Sequence, residues 1–462
     1  MESESTIDDI IQTVQRFRIL SVGRSGVGKS SLINCVFRMN DARVAHFRAG
    51  ESDIQQEFVS QDNPFFVLHD SKGFEPGDVA NFETVRQFIV ERSKKELELK
   101  ERIHALWLCT ETPTAGGRVF EAGDENLLQL VHKPGTRIPV VIVFTQYDRL
   151  IRTKEDELQE DSDEILDPNT LKTRSKEDAG KAFDICVQSL RHTMDRLRIP
   201  MPHYVKVSVR PGYQEDVSAL VEVTRDIVKE RLKEDAWIMW AIAQRASLPV
   251  KIEACTTQFP SGKEGLELRA LTGSVPGFGQ MLLRTCLVEV HKDIVRCWNF
   301  KGEVLNSEEF GQLMLHLVQD VQAKPDVSTR PNVDIISQFV SLVTAASAPI
   351  APPVAILGLT YIFVQWLSTA VLENIPSVQR LLVAYTVDLI SVLKELFDLT
   401  LQPDKALATT WQELKEAFEA YERSPSRQRI HKIICSKSAQ GEQSITADGI
   451  REKVRELVRE NM

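Results

Sequence analysis

Short apolar runs alternate with amphipathic stretches through the first half of the chain. The runs are Phe17–Val22, Phe65–Leu68, Ile103–Cys109, Ile138–Thr145 and Tyr204–Ser208. Several are β-branched and bounded by Gly, Pro or Asp, as buried strands are. Between them, Gly28–Met39, Asn81–Lys100, Glu121–His132, Ser175–Arg198 and Asp216–Lys233 carry helical spacing. Alternating strand and helix predicts a mostly parallel sheet with helices on both faces. This α/β domain is expected over residues 16–234, after an acidic tail at 1–15. A charged insertion over about 154–180 opens with KEDELQEDSDE at Lys154–Glu164 and reads as a solvated loop or exposed helix, with a binding tail as the alternative.

Beyond residue 234 the period changes. Apolar residues recur at three and four positions in Met281–Val295, Phe310–Val321 and Val378–Leu399, which predicts an all-helical domain over 235–401. Residues 402–462 read as one or two polar helices ending in a solvated tail.

Residues 335–372 contain neither a charged side chain nor a histidine. The part from Val354 to Leu372 would span roughly 28 Å as a helix, and Pro352-Pro353 separates it from a more polar first part. Three readings stand: a hairpin buried in the helical domain, an element inserted in a membrane, or a segment buried at rest and exposed on nucleotide binding. Gln365 lies mid-span and no Lys/Arg cluster flanks the stretch, which argues against insertion. The total lack of charge argues for it, because buried helices of water-soluble domains usually keep a polar face.

At 462 residues the chain has room for two or three domains. Its 42% hydrophobic content supports a sizeable core, and a net charge of −10 argues against nucleic acid as a partner. The seven cysteines form no C-x-x-C pair, which suits a reducing, cytoplasmic setting. Residues 1–16 hold no apolar core of a secretory signal. The histidines show no zinc spacing, and the six tryptophans are dispersed as packing residues are.

The chemistry starts at Gly23-Arg24-Ser25-Gly26-Val27-Gly28-Lys29-Ser30, which fits G-x-x-x-x-G-K-[ST] between a strand and a helix. Glycines let backbone N–H groups approach phosphate oxygens, and the following helix, with Ser31 in its first turn, adds its positive dipole end. Lys29 is expected on the β- and γ-phosphates and the Ser30 hydroxyl on Mg²⁺. Forty-one residues after Lys29, a strand ends in Asp70-Ser71-Lys72-Gly73, a D-x-x-G element. Asp70 would hold Mg²⁺ through water, and the Gly73 N–H would face a γ-phosphate.

The strand Val140–Phe144 runs into Thr145-Gln146-Tyr147-Asp148, which resembles the [NT]-K-x-D element of GTP-binding domains. The resemblance implies that Asp148 accepts hydrogen bonds from N1–H and the exocyclic amine of guanine, a donor pair that adenine lacks. The usual lysine is Gln146 here. Ser208-Val209-Arg210 resembles the S-A-K loop, whose backbone N–H groups meet the guanine carbonyl. In this order the four elements resemble the P-loop GTPases of the translation-factor-related class over about residues 16–234. The segments His104–Cys109 and Pro113–Arg118 are similar to the septin, Toc and AIG1-like branch, and the chain is most like uncharacterised fungal G-domain proteins.

That resemblance implies GTP/GDP and Mg²⁺ as ligands and a nucleotide switch with slow hydrolysis. Phe74 stands where many relatives place a water-orienting glutamine, and Val44–Ser60 contains no threonine to serve as the usual switch I metal ligand. Ser52 is the nearest hydroxyl replacement, and Asp53 is a second candidate. A group supplied across a G-domain homodimer would then speed hydrolysis, with Arg24 and Arg118 as candidate suppliers. The helical half is expected to be the effector or membrane element. A septin-like assembly scaffold with little hydrolysis is the first rival, and a P-loop ATPase or small-molecule kinase the second.

Overall fold

A computed structural model describes residues 7–38, 54–55, 57–60, 63–70, 79–94, 96–114, 119–133, 136, 138–160, 167–232, 234–257, 290–318, 321, 375–400, 409–436 and 447–460. The chain divides into two compact units, Ile10–Val250 and a second made of Met1–Asp9 with Lys251–Met462. The uncharged stretch 335–372 lies outside the described residues.

The first unit is built on β1 (Phe17–Val22), β2 (Phe58–Ser60), β3 (Asn63–Asp70), β4 (Ala105–Glu111), β5 (Val140–Thr145) and β6 (His203–Lys206). Their order across the sheet is β2-β3-β1-β4-β5-β6. Every neighbouring pair is parallel except β2 with β3. All residues of β1 and β5 are buried, as the apolar runs required for strands covered on both faces. Three elements escaped the sequence pattern, the first a helix at Ile7–Val14 within the expected acidic tail, which buries Ile7, Ile10 and Val14. β2 has three residues, too few for a readable alternation. A helix at Tyr147–Glu160 has only a narrow inner face, with Leu150 and Ile151 buried. It packs against the 30-residue helix Pro168–Leu197, so the described parts of the charged insertion are the two arms of a helical pair.

The α/β unit also runs past residue 234. The helix Glu234–Ala243 buries Trp237, Ile238, Met239, Trp240 and Ile242 and packs against β1 and β3. Trp240 meets Trp107 edge-on with centroids 5.9 Å apart and donates from Nε1 to the Val221 carbonyl at 2.9 Å. A helix apolar on every side must be covered on every side, and the sheet and its neighbour Gln214–Arg231 supply part of that cover.

Two neutral histidines sit beside this core. The Arg18 N–H donates to His104 Nδ1 at 2.8 Å, so His104 carries its proton on Nε2 and gives it to the Leu99 carbonyl at 2.8 Å. His69 Nδ1 meets the Ile54 carbonyl at 3.0 Å, which makes Nδ1 the donor and leaves Nε2 facing Arg18 at 3.4 Å. The Arg18 guanidinium is in turn paired with Glu57.

The second unit centres on the helix Ile375–Thr400, against which the helices Glu308–Leu317, Trp411–Glu422, Pro425–Ser436 and Ala447–Arg459 pack. Residues 402–462 are therefore more than a solvated tail. Leu414, Phe418, Tyr421, Ile430, Val454 and Leu457 are buried, although polar residues outnumber apolar ones in the last two helices and equal them in the first. A capping box between Thr410 and Glu413 opens the first of these helices. The buried Asp388 carboxylate accepts from the Tyr421 hydroxyl at 2.6 Å and from His431 Nε2 at 3.0 Å. One carboxylate thus pins two helices to the long one.

Burial holds both His69 and His104 down to about 4, against an ordinary value of 6.5. The unfolded chain therefore binds more protons than the folded one between those values. Stability is complete above about pH 6.5 and is lost as pH falls towards 4, by up to roughly 3 kcal/mol per histidine. Hydrogen exchange over β1 and β4, corrected for intrinsic rates, will show protection falling through that window; a flat profile would contradict it. In the second unit, Tyr421→Phe takes one donor from a buried carboxylate and should cost about 1–3 kcal/mol in urea unfolding.

Candidate functional site

Because β1, β3, β4, β5 and β6 are parallel, their carboxyl ends open on one edge of the sheet. β1 and β4 are neighbours, and the connection leaving β1 runs to the β3 side while that leaving β4 runs to the β5 side, the place where open α/β sheets bind ligands. The loop Gly23–Gly28 leaves β1 at that point, and the helix Lys29–Phe37 follows it.

The glycines are there for identifiable reasons. Gly23 has φ +148°, and a Cβ on it would lie 2.1 Å from the Cys109 carbonyl oxygen of β4. Gly28 has φ +94° and turns the loop into the helix. Lys29 folds back over the loop, donating from Nζ to the Gly23 carbonyl at 2.8 Å and the Arg24 carbonyl at 3.1 Å. Arg24 reaches out of the loop to Glu121 at 2.5 Å, in front of the helix Ala122–Val131. That pair is formed within one chain and is half exposed.

The end of β5 is tied to this loop. Thr145 Oγ1 lies 2.6 Å from the Val27 carbonyl, and Gln146 Nε2 donates to the Gly26 carbonyl at 3.1 Å. Gln146 adopts φ +56°, an uncommon conformation for a side chain without an Asn- or Asp-like local bond. Two residues on, Asp148 is buried. Its Oδ1 accepts from the Ser208 hydroxyl at 2.8 Å and its Oδ2 from Arg210 Nε at 3.1 Å. Main-chain bonds knit the same corner, from Val207 N–H to Phe144 O at 2.7 Å and from Tyr147 N–H to Val207 O at 3.1 Å.

These groups surround one cavity of about 470 Å³. Gly26, Gly28, Ser31, Thr145, Gln146, Asp148 and Val209, all singled out in the sequence, line it. Leu32, Arg149, Val207 and Arg210 line it as well and were not singled out as binding residues. Arg149 is one helical turn after Gln146 and bonds its Oε1 at 2.8 Å, a spacing the sequence did contain. The volume falls in the range of small-molecule sites. Loop amides at one end and a carboxylate with apolar flanks at the other suit an anion joined to a flat, donor-bearing ring. Tyr213 stands by this corner, and burial together with the Asp148 carboxylate pushes its phenol up.

The metal side is described in part. Ser30 is the second residue of the helix after the loop and is partly buried, and Asp70 ends β3 opposite Ser21 of β1. A hydroxyl and a carboxylate are hard oxygen donors, and they fit Mg²⁺. Gly73, Ser52, Asp53, Phe74 and Arg118 lie outside the described residues.

Parts of this chain are similar to known proteins. A family model described as 50S ribosome-binding GTPase matches residues 18–146, and one described as Domain of unknown function (DUF8505) matches residues 304–462. The tRNA modification GTPases MnmE of Streptococcus pyogenes serotypes M12 and M6 are each 26% identical over 222 residues, covering 44% of this chain. The chain spans about half the length of these curated relatives, 47% of each. A crystal structure of a probable GTP-binding protein engB aligns over 46% of this chain and 100% of its own, at 15% identity and a TM-score of 0.29. The first half of the chain is thus a P-loop G domain on a mostly parallel six-stranded sheet, similar to GTP-binding GTPases over residues 18–146 and followed by a helical region.

Proposed function

We propose that the protein is a slow, Mg²⁺-dependent GTPase that works as a nucleotide switch, with its helical second half as the effector element. The observation that carries this reading is the single cavity that joins the phosphate loop to Asp148. Of the loop, Gly26 and Gly28 line it; the amides of Gly23–Gly28 and the Lys29 ammonium, which bonds the loop at Gly23 and Arg24, bind the phosphates. Asp148 accepts from N1–H and the 2-amino group of guanine, and Val209 and Leu32 offer apolar surface to the base. Ser30 and Asp70 are the residues that would hold Mg²⁺, which when bound neutralises charge on the β- and γ-oxygens. Lys29 would exchange its two loop carbonyls for phosphate oxygens, so its ammonium is already at the loop before nucleotide arrives.

Slow turnover follows from Phe74, which cannot orient an attacking water. Arg24 would have to leave Glu121 before serving a second G domain, so acceleration by dimerisation would need that pair to open. Phe74 and the threonine-free segment Val44–Ser60 also favour a second reading, a septin-like assembly scaffold that binds nucleotide and barely hydrolyses it. Size-exclusion chromatography separates the two, because a scaffold assembles with GTP or GDP alike.

The nucleotide reading is tested by calorimetry with Mg²⁺. GTP and GDP should bind and ATP should not compete at equal concentration; equal competition would overturn guanine selection. Asp148→Asn replaces one acceptor by an N–H donor, which matches the 2-oxo group of xanthine. It should weaken GDP binding roughly a hundredfold and improve that of xanthosine diphosphate. Single-turnover hydrolysis should run at about 10⁻³ s⁻¹ or slower and vanish in Lys29→Ala.

A further inference from the structure

We infer that Arg210 is a positioning residue for guanine selection, holding the Asp148 carboxylate in the plane that reads the base. This rests on the assignment of Asp148 as the guanine acceptor.

Two parallel N–H donors on one edge of a ring need two carboxylate oxygens presented side by side. A carboxylate turns easily about its terminal torsion, whose wells are broad. Asp148 is held against that rotation at both oxygens. Ser208 Oγ donates to Oδ1 at 2.8 Å, and Arg210 Nε donates to Oδ2 at 3.1 Å. The two donors come from one loop and are themselves linked, since the Arg210 N–H donates to Ser208 Oγ at 3.2 Å. Each carboxylate oxygen accepts more than one hydrogen bond, so these contacts leave capacity on both atoms. Asp148 lines the cavity, and that capacity is what the base would use.

The charge pattern supports the same role. Gln146 is neutral where the resemblance implies a lysine, and its amide is spent on the Gly26 carbonyl. Arg149, the other guanidinium at the cavity, is paired with Glu111 and with Gln146 Oε1. Arg210 is therefore the cation that stands on Asp148 itself. Its side chain is 63% exposed, so it acts by orienting the carboxylate and not as part of the core.

Inosine diphosphate lacks the 2-amino group of GDP but keeps N1–H, the phosphates and the ring faces. The ratio of GDP to inosine diphosphate affinity therefore reports how well Asp148 presents its second oxygen. In calorimetric titrations of the full chain with Mg²⁺, Arg210→Ala should lower this ratio about three- to fivefold, and Arg210→Lys should restore part of it. A ratio unchanged in Arg210→Ala overturns the inference, whether both affinities stay put or both fall together; the second result would make Arg210 a cover for the base face. Asp148→Asn is run alongside. If it leaves the ratio unchanged, the guanine-acceptor assignment itself fails. If it collapses the ratio while Arg210→Ala does not, only the role of Arg210 fails.

Discussion

The site depends on how the phosphate loop is fastened to the strand two places away in the sheet. Thr145 and Gln146, at the end of β5, reach the carbonyls of Val27 and Gly26. Gly23 meanwhile comes so close to the Cys109 carbonyl of β4 that no other residue fits there. A loop of successive N–H groups binds an anion only if its amides converge, and a free glycine-rich loop would sample many other shapes. Here the carbonyls of Val27 and Gly26 are bonded to the end of β5, which restricts those shapes. The same two bonds set the distance from the phosphate end of the cavity to Asp148. Anchoring and ligand geometry are therefore one arrangement.

The polar groups beneath the site follow a related logic. Arg18, His69 and His104 are buried on or beside the inner strands, where an unpaired charge would be costly, and Glu57, just before the edge strand β2, reaches Arg18. The arginine is matched by one carboxylate, and each histidine stays neutral with both ring nitrogens engaged. His69 immediately precedes Asp70 on β3 and bonds the main chain at Ile54. The strand that carries the candidate metal ligand is thereby linked to the segment just before β2. In the helical unit Asp388 does comparable work, since the donors around it come from two further helices. Buried carboxylates of this kind fix which helices meet, a matter on which apolar packing alone is permissive.

The sequence by itself determined the class of the first domain. Strand, glycine loop and helix follow one another without interruption from Phe17 to Phe37, so the phosphate site is local and a linear motif expresses it. Asp70 and Asp148 could be marked for the same reason, Asp70 ending β3 and Asp148 lying three residues past the end of β5. Helical period likewise foretold the long helix of the second unit. What only the tertiary structure decided lies where partners come from afar. The helix Tyr147–Glu160 looks solvated until its partner Pro168–Leu197 is in place. Trp240 belongs to the α/β unit because of Phe17, Trp107 and Val221, which are far from it in sequence. Arg210 could be placed in the S-A-K-like loop from sequence, but its contact with Asp148 exists only once the segments after β5 and β6 meet. Linear sequence records local backbone geometry and periodic burial well. It carries no direct record of which distant groups share a hydrogen bond, because that is fixed only when the sheet brings the strand ends together.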